Sequence, residues 1–208
     1  MLIHVIDTET TGLSGYPDDL VIEIGIAAVD TDLCTVEPVF ESLVGYDTDS
    51  WDDSRKESWI FSHSSLKLKD IRNGPNLNDV VNQVRYILAG QNVTSYNIPF
   101  DFKKFLDRKP WELKKFHCVK MPDIMEAAAD YFKEPSPFGG YRWPRLERTY
   151  RALCKDDPAG IDNKQEHRAL SDAIAAGYVL LALYKAGTYK TEEKDRPIKI
   201  ELARSNIA

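Results

Sequence analysis

Two carboxylates stand two positions apart near the start of the chain, in the stretch Ile6-Asp7-Thr8-Glu9-Thr10-Thr11-Gly12-Leu13. The apolar run 2–6 before them predicts a β-strand, and side chains alternate along a strand, so Asp7 and Glu9 share one face. Neighbouring carboxylates repel each other, and both stay ionised at neutral pH when a cation lies between them. Mg²⁺ and Mn²⁺ prefer such oxygen ligands. The pair therefore indicates either a metal site or a solvated strand end.

Asp101, His167 and Asp172 could complete such a site from distant parts of the sequence. Asp101 falls in the first turn of a predicted helix, where the helix dipole alone favours an acid. His167 and Asp172 are five residues apart, which would place them about 140° apart on one helix. They can converge only if His167 lies in the loop or first turn before the helix and Asp172 lies within it. Each of these residues has a structural explanation when it is considered alone.

The combined pattern resembles the DEDDh family of DnaQ-like 3′–5′ exonucleases, which includes proofreading subunits, RNase T and oligoribonuclease. The pattern is Asp-x-Glu after the first strand, Asn-x-x-Phe-Asp after the fourth, and His-x-x-x-x-Asp at the last long helix. Its order and spacing match over residues 2–183. The second motif departs from the family, which often has His-Asn where this chain has Tyr96-Asn97. Arg168 occupies the position of the catalytic tyrosine in a related subtype, so the histidine subtype is the better match.

The resemblance implies a phosphodiester hydrolase that uses two divalent metal ions, Mg²⁺ or Mn²⁺. Asp7 would bridge both ions, Glu9 and Asp172 would complete the first site, and Asp101 would hold the second, partly through water. His167 would act as the general base that deprotonates the attacking water.

The family also holds the 3′ end of its substrate with residues that follow the first acid. By resemblance, Thr8 and Thr10 would meet the terminal sugar or phosphate, and Leu13 would wedge against the last bases. A preference for single strands follows, because an unpaired end can enter such a pocket and stack. The alternative for Leu13 is packing in the core.

Asn97 and Phe100 would line the same pocket, although Asn97 could equally cap a helix and Phe100 could equally belong to the core. The segment 60–64 resembles a loosened form of the family's Ile-His-Gly-Ile segment, which places His63 near the substrate. The sequence leaves open whether that substrate is DNA or RNA.

The elements that would position these residues alternate in a way that predicts an α/β fold. We predict an RNase H-like, mixed five-stranded sheet, with an antiparallel three-strand meander plus parallel strands, flanked by helices. Strands one and four are expected to be central neighbours. The predicted strands cover 2–7, 21–29, 34–44, 93–96 and 116–120. The predicted helices cover 65–72, 76–89, 99–109, 122–132, 145–154 and 165–186, and the rest of 46–76 is expected to be irregular.

The chain has 208 residues, enough for one domain, and we expect an exonuclease domain over 1–187 and a polar tail or arm over 188–208. The net charge of −6 argues against a protein that coats nucleic acid. Basic residues concentrate in two segments, with seven Lys/Arg in 103–120 and five in 142–155. Lys103, Lys104, Arg142 and Arg145 could therefore contact upstream phosphates.

Three cysteines without a C-x-x-C pair, and no signal peptide or membrane-spanning run, favour a reducing, cytoplasmic setting and no membrane partner. The expected partners are single-stranded nucleic acid 3′ ends, with a homodimer or a polymerase or repair partner as further possibilities. The alternative function is a non-catalytic nucleic-acid-binding module on the same fold. Such a module should lack an acid or the histidine, and this chain has all five residues.

Overall fold

A mixed five-stranded sheet forms the centre of the molecule in the computed structural model, which describes residues 1–160 and 168–191. The strands are β1 (Leu2–Thr10), β2 (Val21–Asp30), β3 (Thr35–Leu43), β4 (Asn92–Thr94) and β5 (Val119–Lys120). Their order across the sheet is β3-β2-β1-β4-β5. The first three pair antiparallel, whereas β4 pairs parallel to both β1 and β5. The predicted RNase H-like class and the central pairing of strands one and four are confirmed.

The strand limits differ from the sequence prediction mainly around the site. β1 extends to Thr10, beyond the predicted end at residue 7, because β2 continues to pair with it through the acidic stretch. The pairing skips a residue of β2 between Glu9 and Thr10, which marks a bulge at this end of the sheet. β5 is shorter than predicted because the residues before it form a 3₁₀-helix, Leu113–Phe116.

Seven α-helices and one π-helix surround the sheet within the described residues. They are α1 (Asp53–Lys56), α2 (Trp59–His63), α3 (Leu68–Arg72), α4 (Leu77–Leu88), the π-helix (Pro99–Leu106), α5 (Ile124–Phe132), α6 (Leu146–Leu153) and α7 (Ala169–Lys185). The segment predicted to be mostly irregular therefore contains α1 and α2 as well as α3. These helices have five residues or fewer, too short for helical periodicity to be visible in the sequence.

Two layers of helices cover opposite faces of the sheet, and β1 contributes alternate side chains to each. Ile3 and Val5 pack in the core that includes α5, α6 and α7. Ile6 packs in the core that includes α4 and the π-helix. The alternation sends Asp7 towards the α7 side and Thr8 towards the π-helix side.

α7 begins later than predicted. Arg168 has an extended backbone, with φ −141° and ψ 127°, so the helix starts at Ala169 rather than at residue 165. Residues 165–167 lie outside the described residues.

Packing at the other end of α7 continues beyond residue 187. Tyr189 is buried, and its hydroxyl donates to the carbonyl of Pro122 at 2.9 Å. The strand-like stretch 198–202 lies outside the described residues. Within the two described ranges, no helix combines the length and the apolar character that crossing a bilayer requires.

Candidate active site

Three carboxylates from distant segments meet where β1 ends. Asp7 and Glu9 continue the row of β1 side chains that faces α7, and Asp172 lies in the first turn of α7. One oxygen from each of the three side chains lies within 4.8 Å of the other two. The structure therefore brings together three of the four predicted metal ligands.

This cluster holds more negative charge than it can stabilise by itself. The pKa of Asp7 is raised well above its usual range, first because the side chain is buried and then because Asp101, Asp172 and Glu9 are anionic neighbours. A divalent cation among these oxygens would remove the repulsion. Carboxylate oxygens are the ligands that Mg²⁺ and Mn²⁺ prefer, so the donor set fits such a metal.

Asp101 lies beside this cluster, on the π-helix. Because Thr8 points to the opposite face from Asp7, its hydroxyl can donate to Asp101 Oδ1, at 2.8 Å. Asp101 is only 3% exposed, and burial raises its pKa to about 7, although the hydrogen bond from Thr8 opposes the rise. In the part of the chain that the structure describes, Asp101 is not in the group that meets within 4.8 Å. Thr8 also lines the cleft described below, and its contact with substrate stays a prediction.

Asn97 forms a hydrogen bond with the first turn of the π-helix, and Phe102 packs in the core. The amide of Asp107 donates to the carbonyl of Phe102 at 2.8 Å, a bond that spans five residues. The side-chain oxygen of Asn97 accepts from the amide of Phe100 at 3.2 Å. Asn97, one residue before the N-cap Ile98, thus supports the first turn of the helix, and its contact with substrate stays a prediction.

A cleft of about 420 Å³ opens beside Glu9. Its walls include four of the predicted substrate residues, namely Thr8, Thr10, Leu13 and Phe100. Leu13 is 73% exposed, so the alternative of core packing does not hold for it. The hydroxyl of Thr10 donates to the carbonyl of Gly12 at 2.8 Å and holds the turn that carries Leu13.

Lys104 fixes the Leu13 loop to the π-helix. Its ammonium donates to the carbonyl of Leu13, and its own carbonyl accepts from the amide of Tyr16 at 3.1 Å. The ammonium also lies 5.7 Å from the ring centre of Phe100. Lys104 thus has a local role that the prediction of a phosphate contact did not include.

Trp59 and Ile60, at the start of α2, also line the cleft, and the sequence interpretation missed Trp59. Trp59 is 57% exposed, and the ring of His63 stacks on it with centroids 4.2 Å apart. His63 thus supports a residue of the cleft wall, and its place near the substrate stays a prediction. The spacing of Trp59 and His63, four residues apart, is the sequence signal for one helical face.

Glu23 and Gly25 on β2 hold the start of α7, and neither was predicted as a functional residue. Glu23 is fully buried; its Oε1 accepts from Arg168 Nε at 2.8 Å and its Oε2 from the amide of Ala169 at 3.1 Å. A Cβ on Gly25 would lie 2.2 Å from the amide nitrogen of Leu170. The sequence signal was an acid and a glycine inside an otherwise apolar strand.

His167 lies outside the described residues, so its role as general base stays a prediction. Its neighbour Arg168 is held by the bond to Glu23, so the chain on one side of His167 has a fixed position.

The family model RNase T, described as an exonuclease, matches residues 4–180. This chain belongs to the DnaQ-like DEDDh exonuclease family. Its members are 3′–5′ exonucleases, which hydrolyse phosphodiester bonds, and the sequence resemblance to this family is confirmed.

Individual relatives are distant in sequence but similar in fold. DNA polymerase III subunit epsilon of Rickettsia typhi (strain ATCC VR-144 / Wilmington) is 28% identical over 196 residues, which are 93% of this chain and 80% of the relative. The structure of a full-length 3′-exonuclease has a TM-score of 0.62 at 16% identity, covering 90% of this chain and 62% of that one. E. coli exonuclease I in complex with a dA16 oligonucleotide has a TM-score of 0.64 at 14% identity, covering 90% and 42%. The chain thus spans less than two thirds of both solved structures.

Proposed function

We propose that this chain removes nucleotides from the 3′ end of single-stranded DNA or RNA, with two divalent metal ions, Mg²⁺ or Mn²⁺, as cofactors. The observation that carries the proposal is the meeting of Asp7, Glu9 and Asp172 from β1 and α7. The raised pKa of Asp7 supports it, because this arrangement of anions is unfavourable unless a cation is present.

Asp7, Glu9 and Asp172 would hold one ion, and Asp7 with Asp101 would hold the other. When bound, the ions supply an activated water and stabilise negative charge on the phosphate. The hydroxyl of Thr8 donates to Asp101 Oδ1 and so keeps Asp101 in place, and the hydroxyl of Ser95 is a second neighbour of this carboxylate. The neighbouring Glu23 fixes the first turn of α7 and so positions Asp172.

His167 is the proposed general base. An ordinary histidine has a pKa near 6.5, so it can accept a proton from water at neutral pH. The expected rate rises with pH through the neutral range as the imidazole loses its proton. A rate that stays constant over this range, in wild type and in His167→Gln alike, would contradict the role.

The cleft gives the terminal nucleotide a place beside the carboxylates. Leu13, Trp59 and Phe100 offer apolar surfaces on which unpaired bases can stack. Thr10 lies on the same wall and can meet the sugar or phosphate, as predicted from the resemblance. A paired end would have to separate before it could use these surfaces, which favours single strands.

The test is incubation with 5′-labelled single-stranded DNA and RNA of the same sequence, with Mg²⁺, Mn²⁺ or EDTA. We expect a ladder that shortens from the 3′ end and disappears with EDTA and in Asp7→Ala. A ladder that grows from the 5′ end, or no product on either polymer with either metal, would refute the proposal. Binding without cleavage by wild type would favour the alternative, a non-catalytic binding module.

Association with a polymerase remains a prediction that the name of the Rickettsia typhi relative supports, since that protein is a polymerase subunit. A homodimer is the other predicted partner. Size-exclusion chromatography with light scattering, with the full chain alone, distinguishes a monomer from a dimer.

A further inference from the structure

Three aromatic side chains are exposed within six residues of the segment 133–145, which joins α5 to α6 and is here called the arginine–aromatic loop. Phe138 is 97% exposed, Trp143 is 63% exposed and Tyr141 is 42% exposed. Side chains of this size usually bury most of their surface in a folded protein. A contiguous exposed patch of such residues indicates a binding surface.

The arginine–aromatic loop has a defined hairpin shape. Pro135 and Tyr141 form an antiparallel bridge, and the amide of Arg142 donates to the carbonyl of Glu134 at 2.8 Å. Phe138 stands at the tip between these two sides. Because the backbone is hydrogen-bonded, the rings are displayed in a fixed arrangement and lose little freedom when a ligand stacks on them.

Positive charge lies between the rings. Among residues 1–160 and 168–191, no carboxylate forms an ion pair with Arg142 or Arg145. Arg148 differs, because it donates to both oxygens of Glu134, with 2.9 Å between Nη1 and Oε2. Glu134 is held by Arg148 and only feels the charge of Arg142 at longer range, so the guanidinium groups of Arg142 and Arg145 can each bind an anionic ligand.

The rings and arginines line a groove of about 710 Å³, and Pro144 in its lining is hydrogen-bonded to Tyr96. The hydroxyl of Tyr96 donates to the carbonyl of Pro144 at 2.9 Å and lies 2.6 Å from the hydroxyl of Thr149. Tyr96 lies in the segment that leads into the π-helix, which carries Asp101. These bonds therefore link the groove to the element that carries one of the site's carboxylates.

The arrangement of the lining residues distinguishes between two classes of partner. The groove contains aromatic rings, arginines, prolines, a serine and a glycine, and no Leu, Ile, Val or Met. Trp, Tyr and Arg are also enriched at the centre of protein interfaces, so this composition alone fits either class of partner. In this loop, however, rings and guanidinium groups alternate along the chain from Tyr141 to Arg145. Alternating rings and cations match a polymer with alternating bases and phosphates, because every base has a face that can stack and every phosphate accepts from Arg.

We propose that the arginine–aromatic loop binds the upstream part of the single-stranded nucleic acid whose 3′ end lies in the carboxylate cleft. Phe138, Tyr141 and Trp143 stack on bases, and Arg142 and Arg145 contact phosphates. The inference rests on the proposed function for the position of the 3′ end. It adds a second binding surface that selects longer strands.

The experiment compares wild type with Phe138→Ala/Trp143→Ala and with Arg142→Gln/Arg145→Gln. The substrates are 5′-labelled single strands of 4 to 20 nucleotides, assayed for kcat and KM with Mg²⁺. Affinity for the 20-mer is measured separately in EDTA by fluorescence anisotropy. Two matched controls lie on other helices: Tyr86→Ala removes an aromatic side chain that is 74% exposed on α4, and Lys69→Gln removes an exposed charge on α3.

We expect each loop variant to raise KM and Kd for the 20-mer by about 10-fold or more, the scale of losing a stacked base or its phosphate contacts. On the shortest strand, each loop variant should match wild type in both kcat and KM. The arginine variant should also reduce the slope of log Kd against log salt by about 1.4, or 0.7 for each lost phosphate. Both control variants should behave as wild type at every length.

Equal KM and Kd for wild type and loop variants at all lengths would overturn the proposal, and that result would favour a protein partner for this loop. If wild type cleaves nothing, the proposed function fails, but the binding arm in EDTA still decides the role of the loop. Because the substituted side chains are exposed, the melting temperatures of the variants should stay close to that of wild type.

Discussion

The two sides of β1 stabilise their carboxylates in different ways. On the α7 side, Asp7, Glu9 and Asp172 face one another, and the pKa of Asp7 is raised by burial and by its anionic neighbours. On the π-helix side, Asp101 has a hydroxyl donor in Thr8. The first group depends on a cation from outside the chain, whereas the second is partly satisfied by the chain itself. A single strand produces both environments because its side chains alternate.

Substitution of the carboxylates should have the largest effects, and it should show how the α7 side and the π-helix side of β1 differ in metal binding. We expect Asp7→Asn and Asp101→Asn each to lower the exonuclease rate by about 10³-fold, the scale of losing a central electrostatic group. Their metal binding should differ, because Asp101→Asn leaves the three-carboxylate cluster intact and Asp7→Asn does not. Calorimetric titration with Mn²⁺ measures the metal affinity of each variant. Asp130→Asn, an exposed acid on α5, is the matched control, and complete loss of Mn²⁺ binding in Asp101→Asn would contradict the asymmetry.

Gly25→Ala should disturb the α7 side alone. The added Cβ would overlap backbone atoms of Leu170, so α7 must move away from β2 and carry Asp172 with it. We expect a loss of about 3 kcal/mol in the free energy of unfolding, measured by urea denaturation, and a lower rate from the protein that remains folded. Gly74→Ala is the milder comparison, because its Cβ would make a tight contact, 3.2 Å from the amide nitrogen of Gly45, and not an overlap. Equal effects of the two substitutions would show that the close packing of Gly25 against the start of α7 has no special importance.

The stability of the metal-free protein should fall as the pH rises. Burial raises the pKa of Asp7 and Asp101 in the folded state, and Asp101 reaches about 7. Folding therefore favours the protonated acids, so their stabilising effect is complete below pH 4 and is lost as the pH approaches 7. The loss is at most about 1.4 kcal/mol per pH unit for each acid.

The measurement is the melting temperature at pH 5.5 and 7.5, in EDTA and in Mn²⁺, for wild type and for Asp101→Asn. Mn²⁺ should stabilise wild type more at pH 7.5 than at pH 5.5, because protons compete with the metal. The variant should lose less stability between the two pH values in EDTA. A larger effect of Mn²⁺ at pH 5.5 would be the opposite of what the raised pKa values require.

Thr8→Val should have the smallest effect and should act on the π-helix side. Loss of the hydroxyl removes the donor to Asp101, so the pKa of Asp101 should rise further and the rate at neutral pH should fall by about 10-fold. The metal-binding cluster on the α7 side should keep its affinity in a Mn²⁺ titration. The control Thr31→Val removes a buried hydroxyl that donates only to the carbonyl of Met1. A rate equal to wild type would show that Thr8 does not matter for Asp101.

The features of this site that depend on local sequence patterns could be predicted from the sequence. Alternation along β1 placed Asp7 and Glu9 on one face, and the order of the motifs, with the family resemblance, predicted that Asp172 would join them. The strand order was predictable because the first three strands follow one another closely while the others alternate with helices. The exposure of Leu13 agreed with its predicted role in holding the substrate.

The parts that were missed depend on contacts between distant residues. Thr8 bonds to Asp101, 93 positions away, so its local pattern could not reveal that its hydroxyl was already engaged. Trp59 lines the cleft from the start of α2, and this helix of five residues is too short to produce a recognisable helical periodicity in the sequence. Glu23 gains its importance from Arg168 and Ala169, 145 and 146 positions away.

The bond from the amide of Ala169 to the buried Glu23 has a consequence for the motions of the protein. Amides in the first turn of a helix usually have no partner within the helix and exchange readily with deuterium from the solvent. This amide has a buried acceptor on another element, so it can exchange only when the first turn of α7 separates from β2. The hydrogen–deuterium exchange rate of this amide therefore reports how often Asp172 moves away from Asp7 and Glu9. The measurement requires neither substrate nor catalysis.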